Sequence, residues 1–225
     1  MENREWLKKT SVIRLNEISR RVSSKAYAKL LVHRLIKSGK LSKITKGIYS
    51  ASDDIFSIAS NIYFPSYISG LSASYRYGIT EVIPIIITII TGKKHKRIEH
   101  SGYKIEFIQS KKVWGYHKEG NDNEAVFIAD FERLVIDVFF YPKQMGNFDE
   151  IENIFKSIEK IDVEKLKGYL KRVKSNKIYR QVGYMLEKYR GLDISNLMKI
   201  NRNYYQLNPF VKKGKTLDRK WRLYL

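Results

Sequence analysis

The stretch Val82-Ile83-Pro84-Ile85-Ile86-Ile87-Thr88-Ile89-Ile90 constrains the fold more than any other part of this chain. It is far shorter than the roughly 20 apolar residues a membrane-spanning helix needs, and Thr91-Gly92-Lys93-Lys94 follows it. Unbroken Ile with Thr, lacking polar alternation, is the pattern of a strand covered on both faces. Tyr103 to Gln109, Val113 to Tyr116 and Ala125 to Ile128 read as further strands, with Gly120-Asn121-Asp122-Asn123 as a hairpin loop between the last two. The tail segments Tyr205-Gln206-Leu207 and Trp221-Arg222-Leu223-Tyr224 read as strands returning to that sheet.

Helical spacing surrounds the strands. Ile55, Ile58, Ala59 and Ile62 share a face, and Tyr67 to Tyr77 reads as a second helix ended by Gly78. From Asp130 onward the period is helical throughout. The apolar sets are Phe131/Leu134/Val135/Val138, Ile151/Ile154/Phe155/Ile158, Val163/Leu166/Leu170/Val173 and Ile178/Val182/Met185/Tyr189. The expected class is α+β: an N-terminal winged helix-turn-helix, then a larger mixed-sheet domain with a C-terminal helical subdomain.

Charge divides the chain. It has 225 residues and a formal net charge of +20, and residues 1–52 hold 13 Lys/Arg against 3 Asp/Glu. Half the excess therefore lies in less than a quarter of the length, and Asp53-Asp54 interrupts it. That break predicts a DNA-binding domain over 1–52 and a second domain over 53–225. A polyanion is the expected partner, with nucleic acid ahead of an acidic membrane surface. The chain has no cysteine, which excludes disulfides, thiolate zinc sites and cysteine nucleophiles. The N-terminus lacks a signal-peptide apolar region, so a cytoplasmic protein without a membrane partner is expected.

Within residues 1–52, Leu15, Ile18 and Val22 form one helical face. Ser23 or Ser24 can cap a second helix, running from about Lys25 to Lys37 and ended by Gly39. Its inner face is Ala28, Leu31, Val32 and Leu35; Lys25, Lys29, His33 and Lys37 lie opposite. Residues near Arg4 to Lys9 would supply a preceding helix. Thr45-Lys46-Gly47, flanked by Ile44 and Ile48, reads as a hairpin turn. In a winged helix the second helix enters the major groove and the wing follows phosphates. The candidate DNA contacts are Lys25, Lys29 and His33 on the groove face, Lys43 and Lys46 on the wing, Arg20 and Arg21 as backbone clamps, and Ser23 and Ser24 at the helix start.

Motifs for chemistry are sparse. There is no phosphate-binding P-loop, no nucleophile elbow, and no metal-ligand pair among His33, His95, His100 and His117. Neither a catalytic residue nor a cofactor nor a metal is assigned. Glu132, Arg133 and Asp137 are the most site-like group, although Arg133 and Asp137 have the spacing of a helix ion pair. A metal-dependent nuclease would need Glu99, Glu106, Asp122 and Glu124 to converge. The basic, tyrosine-rich stretch Lys165 to Arg190 fits a nucleic-acid or partner surface, or simply helices that bury tyrosines and extend lysines.

An ordered set of short segments resembles the AbiEi family of antitoxins and transcriptional regulators of viral defence systems. It comprises Leu35-Ile36-Lys37-Ser38-Gly39-Lys40-Leu41, Thr45-Lys46-Gly47-Ile48-Tyr49, Ile68-Ser69-Gly70-Leu71-Ser72-Ala73, Tyr77-Gly78-Ile79-Thr80, Ile83-Pro84, Asp130-Phe131-Glu132-Arg133-Leu134 with Asp137, and the two tail segments. Phe131 stands where family members often have Pro. The resemblance implies an autorepressor that binds double-stranded operator DNA upstream of its own operon. It also implies an antitoxin that counters a nucleotidyltransferase-like toxin. A homodimer is among the open oligomeric states. The alternatives are a regulator whose second domain only senses a ligand or dimerises, and a nuclease targeted by the winged helix.

Overall fold

A computed structural model describes residues 10–121, 124–212, 214 and 216–225. The expected helix near Arg4 to Lys9 lies outside them. The chain forms two compact units: one comprises the residues up to Ile68 with Ile85–Ile128, the other Ser69–Pro84 with Ala129–Leu225.

The first unit opens with strand β1 (Ile13–Arg14), helix α1 (Leu15–Arg21), helix α2 (Lys25–Lys37), and strands β2 (Ser42–Thr45) and β3 (Ile48–Ser50). The three strands form an antiparallel sheet in the order β1-β3-β2. The apolar positions read from the sequence are the ones buried: Ile18, Ala28, Leu31, Val32 and Leu35 pack with Ile13 and Leu41, and Leu15, Val22 and Tyr49 close over them. Ser24 caps α2 by accepting the Tyr27 N–H at 3.1 Å. Gly39, with φ of 69°, ends the helix, and the Lys40 N–H returns to the Leu35 carbonyl at 2.9 Å. The β2–β3 turn uses Gly47 at φ 76°. Its carbonyl accepts the Leu15 N–H at 2.9 Å, which fixes the turn against the start of α1.

The expected boundary after residue 52 falls inside this unit. Ser50 donates to the Ser11 carbonyl at 2.5 Å, Ser11 and Ser57 share a hydroxyl hydrogen bond, and Arg14 donates to the Ile62 carbonyl at 2.8 Å. A composition break marks where charge changes; it says nothing about where contacts thin out.

Helix α3 (Ile55–Asn61) is followed by strands β4 (Ser66–Ile68), β5 (Ile86–Thr91), β6 (Ile98–His100), β7 (Tyr103–Gln109), β8 (Tyr116–Glu119) and β9 (Val126–Ala129). These strands form a six-stranded mixed sheet in the order β6-β7-β5-β4-β9-β8. β5 runs parallel to β7 and antiparallel to β4. As the isoleucine run predicts, β5 lies inside the sheet, with Ile87, Ile89 and Ile90 fully buried; only its entry, Ile85 and Ile86, is exposed.

Two expectations are corrected here. Tyr67 and Ile68 do not begin a helix: they form β4, which fills the slot between β5 and β9 and is completely buried. The strand expected at Val113 to Tyr116 instead starts at Tyr116, because Gly115 takes φ 75° and breaks the extended backbone.

The second unit contains α4 (Gly70–Arg76), α5 (Phe131–Phe140), a 3-10 turn (Pro142–Met145), α6 (Phe148–Lys156), α7 (Val163–Val173) and α8 (Asn176–Arg190). α5 is buried from Glu132 to Phe139, so its polar side chains must find partners inside the protein. The tail strands β10 (Tyr205–Gln206), β11 (Leu217–Asp218) and β12 (Leu223–Tyr224) do not return to the large sheet. They form their own sheet in the order β10-β12-β11. Trp221 anchors it on α8, where Gly183 leaves room for the indole and Glu187 accepts its Nε1–H at 2.6 Å. The class is thus α+β with a mixed sheet. No helix among the described residues is long and apolar enough to cross a membrane.

Candidate nucleic-acid interface

The first turns of α2, the start of α1 and the β2–β3 hairpin enclose an open cleft of about 680 Å³. Arg14, Lys25, Lys29, Lys43 and Lys46 line it, with Asn16 and Tyr49, and no acidic side chain does. Each cation has a local reason to be there. Lys25 and Lys29 are one turn apart on α2, whose opposite face is buried in the core. Lys43 points outward from β2, where its neighbour Ile44 points inward. Lys46 occupies the turn that Gly47 makes possible. Arg14 is partly engaged: its guanidinium donates to the Ile62 carbonyl at 2.8 Å and lies 3.4 Å from Glu17. The four lysines are exposed, so the cleft concentrates positive charge that no lining side chain neutralises.

The structure therefore brings together Lys25, Lys29, Lys43 and Lys46 of the expected contacts. His33 is exposed but outside the cleft, because a row spaced by four residues drifts about 40° per step around a helix. Ser24 is used as the α2 cap, and Ser23 is exposed beside it. Arg20 and Arg21 occupy the last turn of α1, where their charge complements the helix C-terminus. No local sequence pattern points to Arg14 and Asn16. Their place follows from the pairing of Arg14 with Ile48, which only the folded sheet reveals.

Elsewhere the charged groups read as internal staples. Arg133 Nη2 meets Asp137 Oδ1 at 2.8 Å with both side chains buried, and Ser69 donates to Asp137 Oδ2 at 2.9 Å. Lys165 sits between Asp130 at 3.3 Å and Glu132 at 3.2 Å. Burial pulls its pKa down, but the two carboxylates outweigh that and hold it above the usual lysine value. The Tyr169 hydroxyl donates to Asp130 at 2.6 Å, and burial with that carboxylate pushes the phenol up. Asp130 precedes α5 but makes no side-chain cap bond to it.

Of the tyrosines on the basic helices, Tyr179 is fully buried and Tyr189 donates to Glu152 at 2.5 Å. Arg180 is also buried, against the carbonyls of Asn201 and Asn203. Glu99 and Glu106 both face Arg97, Asp122 lies outside the described residues, and among those residues no group of three metal-ligating side chains gathers. A second open cleft, about 830 Å³, lies within the second unit between Tyr77, Phe131, Lys156, Lys160 and Arg190.

No family model and no curated protein matches this chain. Among solved structures, it is similar to the RV2827C protein from Mycobacterium tuberculosis, with a TM-score of 0.62 at 12% sequence identity. The match covers 96% of this chain and 86% of that one. At that identity the likeness concerns the fold alone.

Proposed function

We propose that this chain is a DNA-binding transcriptional regulator whose N-terminal segment is a winged helix-turn-helix. In this reading α1 and α2 are the helix-turn-helix, α2 enters the major groove of double-stranded operator DNA, and the β2–β3 hairpin is the wing. The observation that carries it is the cleft in which Lys25, Lys29, Lys43 and Lys46 converge with no lining carboxylate. Lysines arranged in this way suit phosphate oxygens on either side of a groove. The protein acts as a binding partner, not an enzyme, and needs no cofactor.

The resemblance to AbiEi antitoxins extends this reading. The chain would repress its own operon and neutralise a nucleotidyltransferase-like toxin in the cytoplasm. Footprinting the full-length protein on the DNA upstream of its own coding sequence tests the first role. Protection of a discrete site is the expected result; uniform or absent protection would overturn it. Co-expression with a nucleotidyltransferase-like protein encoded beside it tests the second, with restored growth expected. A second reading, in which the C-terminal unit senses a small ligand, is favoured by the cleft between Tyr77 and Arg190.

A further inference from the structure

The connection between β5 and β6 is Gly92-Lys93-Lys94-His95-Lys96-Arg97. Lys93, Lys94 and Lys96 are exposed. Arg97 is committed to Glu106 at 3.4 Å and Glu99 at 3.9 Å. A lysine-rich loop is ordinarily a mobile, solvated connection that spreads its charges apart. This one is pinned. The His95 ring stacks on Tyr63 with centroids 3.5 Å apart and planes 8° from parallel, and the edge of Phe107 closes on both rings. Burial, reinforced by Lys93, keeps the imidazole pKa below its ordinary value, so His95 serves as a neutral ring and not as another charge. Fixing the backbone of a segment that carries three lysines costs conformational freedom and keeps like charges on one short stretch. A polyanion that binds all three at once recovers that cost.

The loop also has a defined relation to the basic cleft, within the same compact unit. β6 packs beside β2, which places His100 near the Lys43 backbone. Arg97 is three residues from His100, about 10 Å along an extended strand.

We propose that loop 92–97 is a second phosphate-binding element, in which Lys93, Lys94 and Lys96 grip the backbone of the same DNA duplex that the cleft engages. The inference rests on the DNA-binding reading and extends it. It makes the DNA-contacting surface larger than the helix-turn-helix segment, with β6 joining the two parts. These lysines carry affinity and register; they read no bases.

The test uses full-length protein and duplex DNA titrated across salt concentration. Four proteins are compared: wild type, a Lys93→Ala/Lys94→Ala/Lys96→Ala variant, a Lys25→Ala/Lys29→Ala variant, and a bulk-charge control, Lys143→Ala/Lys199→Ala/Lys212→Ala, whose residues are also exposed. The loop variant should flatten the log–log salt slope by about 2.7, at about 0.9 for each phosphate no longer neutralised. It should weaken binding to specific and random duplexes by the same factor. His95→Ala, which keeps every lysine, should also weaken binding several-fold by releasing the loop. Thermal melting confirms that each variant is folded. An unchanged slope in the loop variant, with a flattened slope for Lys25→Ala/Lys29→Ala, would overturn the loop's role and leave the cleft reading standing. Equal flattening in the bulk-charge control would also overturn it. Absence of duplex binding by the wild type would remove both.

Discussion

Asp137→Asn is the substitution that most sharply separates a structural from a reactive reading of the Glu132-Arg133…Asp137 group. Asn keeps the shape of the side chain and removes its charge. The Arg133 and Asp137 side chains are 0% and 1% exposed and meet at 2.8 Å. Removing one member of such a buried pair leaves the other charge uncompensated, at a cost of about 3–5 kcal/mol. Ser69→Ala should cost less, about 1.5–3 kcal/mol, because it deletes one hydrogen bond to a charged acceptor. In the Asp137→Asn background the Ser69 bond becomes neutral, and its removal should cost only about 1 kcal/mol. The Arg133→Met/Asp137→Leu double variant removes both charges, so it should be more stable than Asp137→Asn alone. Urea unfolding followed by hydrogen exchange at α5 amides reads these values within the second unit. The reasoning fails if Asp137→Asn lies within about 0.5 kcal/mol of wild type, the range of an ordinary surface substitution. It also fails if the double variant is less stable than the single one.

Three further outcomes follow from the same structure. A methyl group at Gly183 would lie within 2.9 Å of three Trp221 ring carbons. Gly183→Ala should therefore destabilise by about 1–3 kcal/mol despite its helix propensity gain of about 1 kcal/mol, and should be harmless in a Trp221→Leu background; equal unfolding midpoints for wild type and Gly183→Ala would contradict this. Lys220 holds the Asp193 carboxyl down at about 2, and Tyr189 and the neighbouring lysines keep Glu152 low against the upward push of burial. Carboxyls depressed in this way stabilise the fold above their unfolded value of about 4, and that stability is lost as pH falls from about 4 towards 2; hydrogen exchange over α6 and α8 should show the loss, and a flat profile across that window would exclude it. Lys46→Ala and Lys29→Ala should each weaken binding to operator and random duplex by the same factor, measured by competition, and should each flatten the log–log salt slope by about 0.9.

What the sequence reveals here is local periodicity. The buried face of α2, the cap at Ser24, the stop at Gly39 and the buried run of β5 all follow from residues a few positions apart. What it hides depends on distant pairings. Tyr67 and Ile68 have aromatic and branched side chains compatible with either helix or strand, and only the slot between β5 and β9 decides for strand. Gly183 reads as a gap in a helix until Trp221, almost 40 residues later in the chain, fills it. Arg14 reads as one more cation in a basic segment until its pairing with Ile48 brings it to the cleft. Charge counts locate the basic segment but do not show which lysines converge: Lys25, Lys29, Lys43 and Lys46 meet, while His33 turns away around α2. The histidine and lysines of loop 92–97 carry no motif, since their meaning depends on a ring stacked from Tyr63.

The central claim is that duplex DNA binds through the cations gathered at the cleft, and the salt dependence of binding by the full-length protein tests it most directly. Seven exposed lysines, four in the cleft and three in loop 92–97, predict a log–log slope of about −6, at about 0.9 per phosphate. The Lys25→Ala/Lys29→Ala/Lys43→Ala/Lys46→Ala variant should flatten it by about 3.6 while remaining folded. A wild-type slope near zero, or a slope unchanged in that variant, would contradict the account.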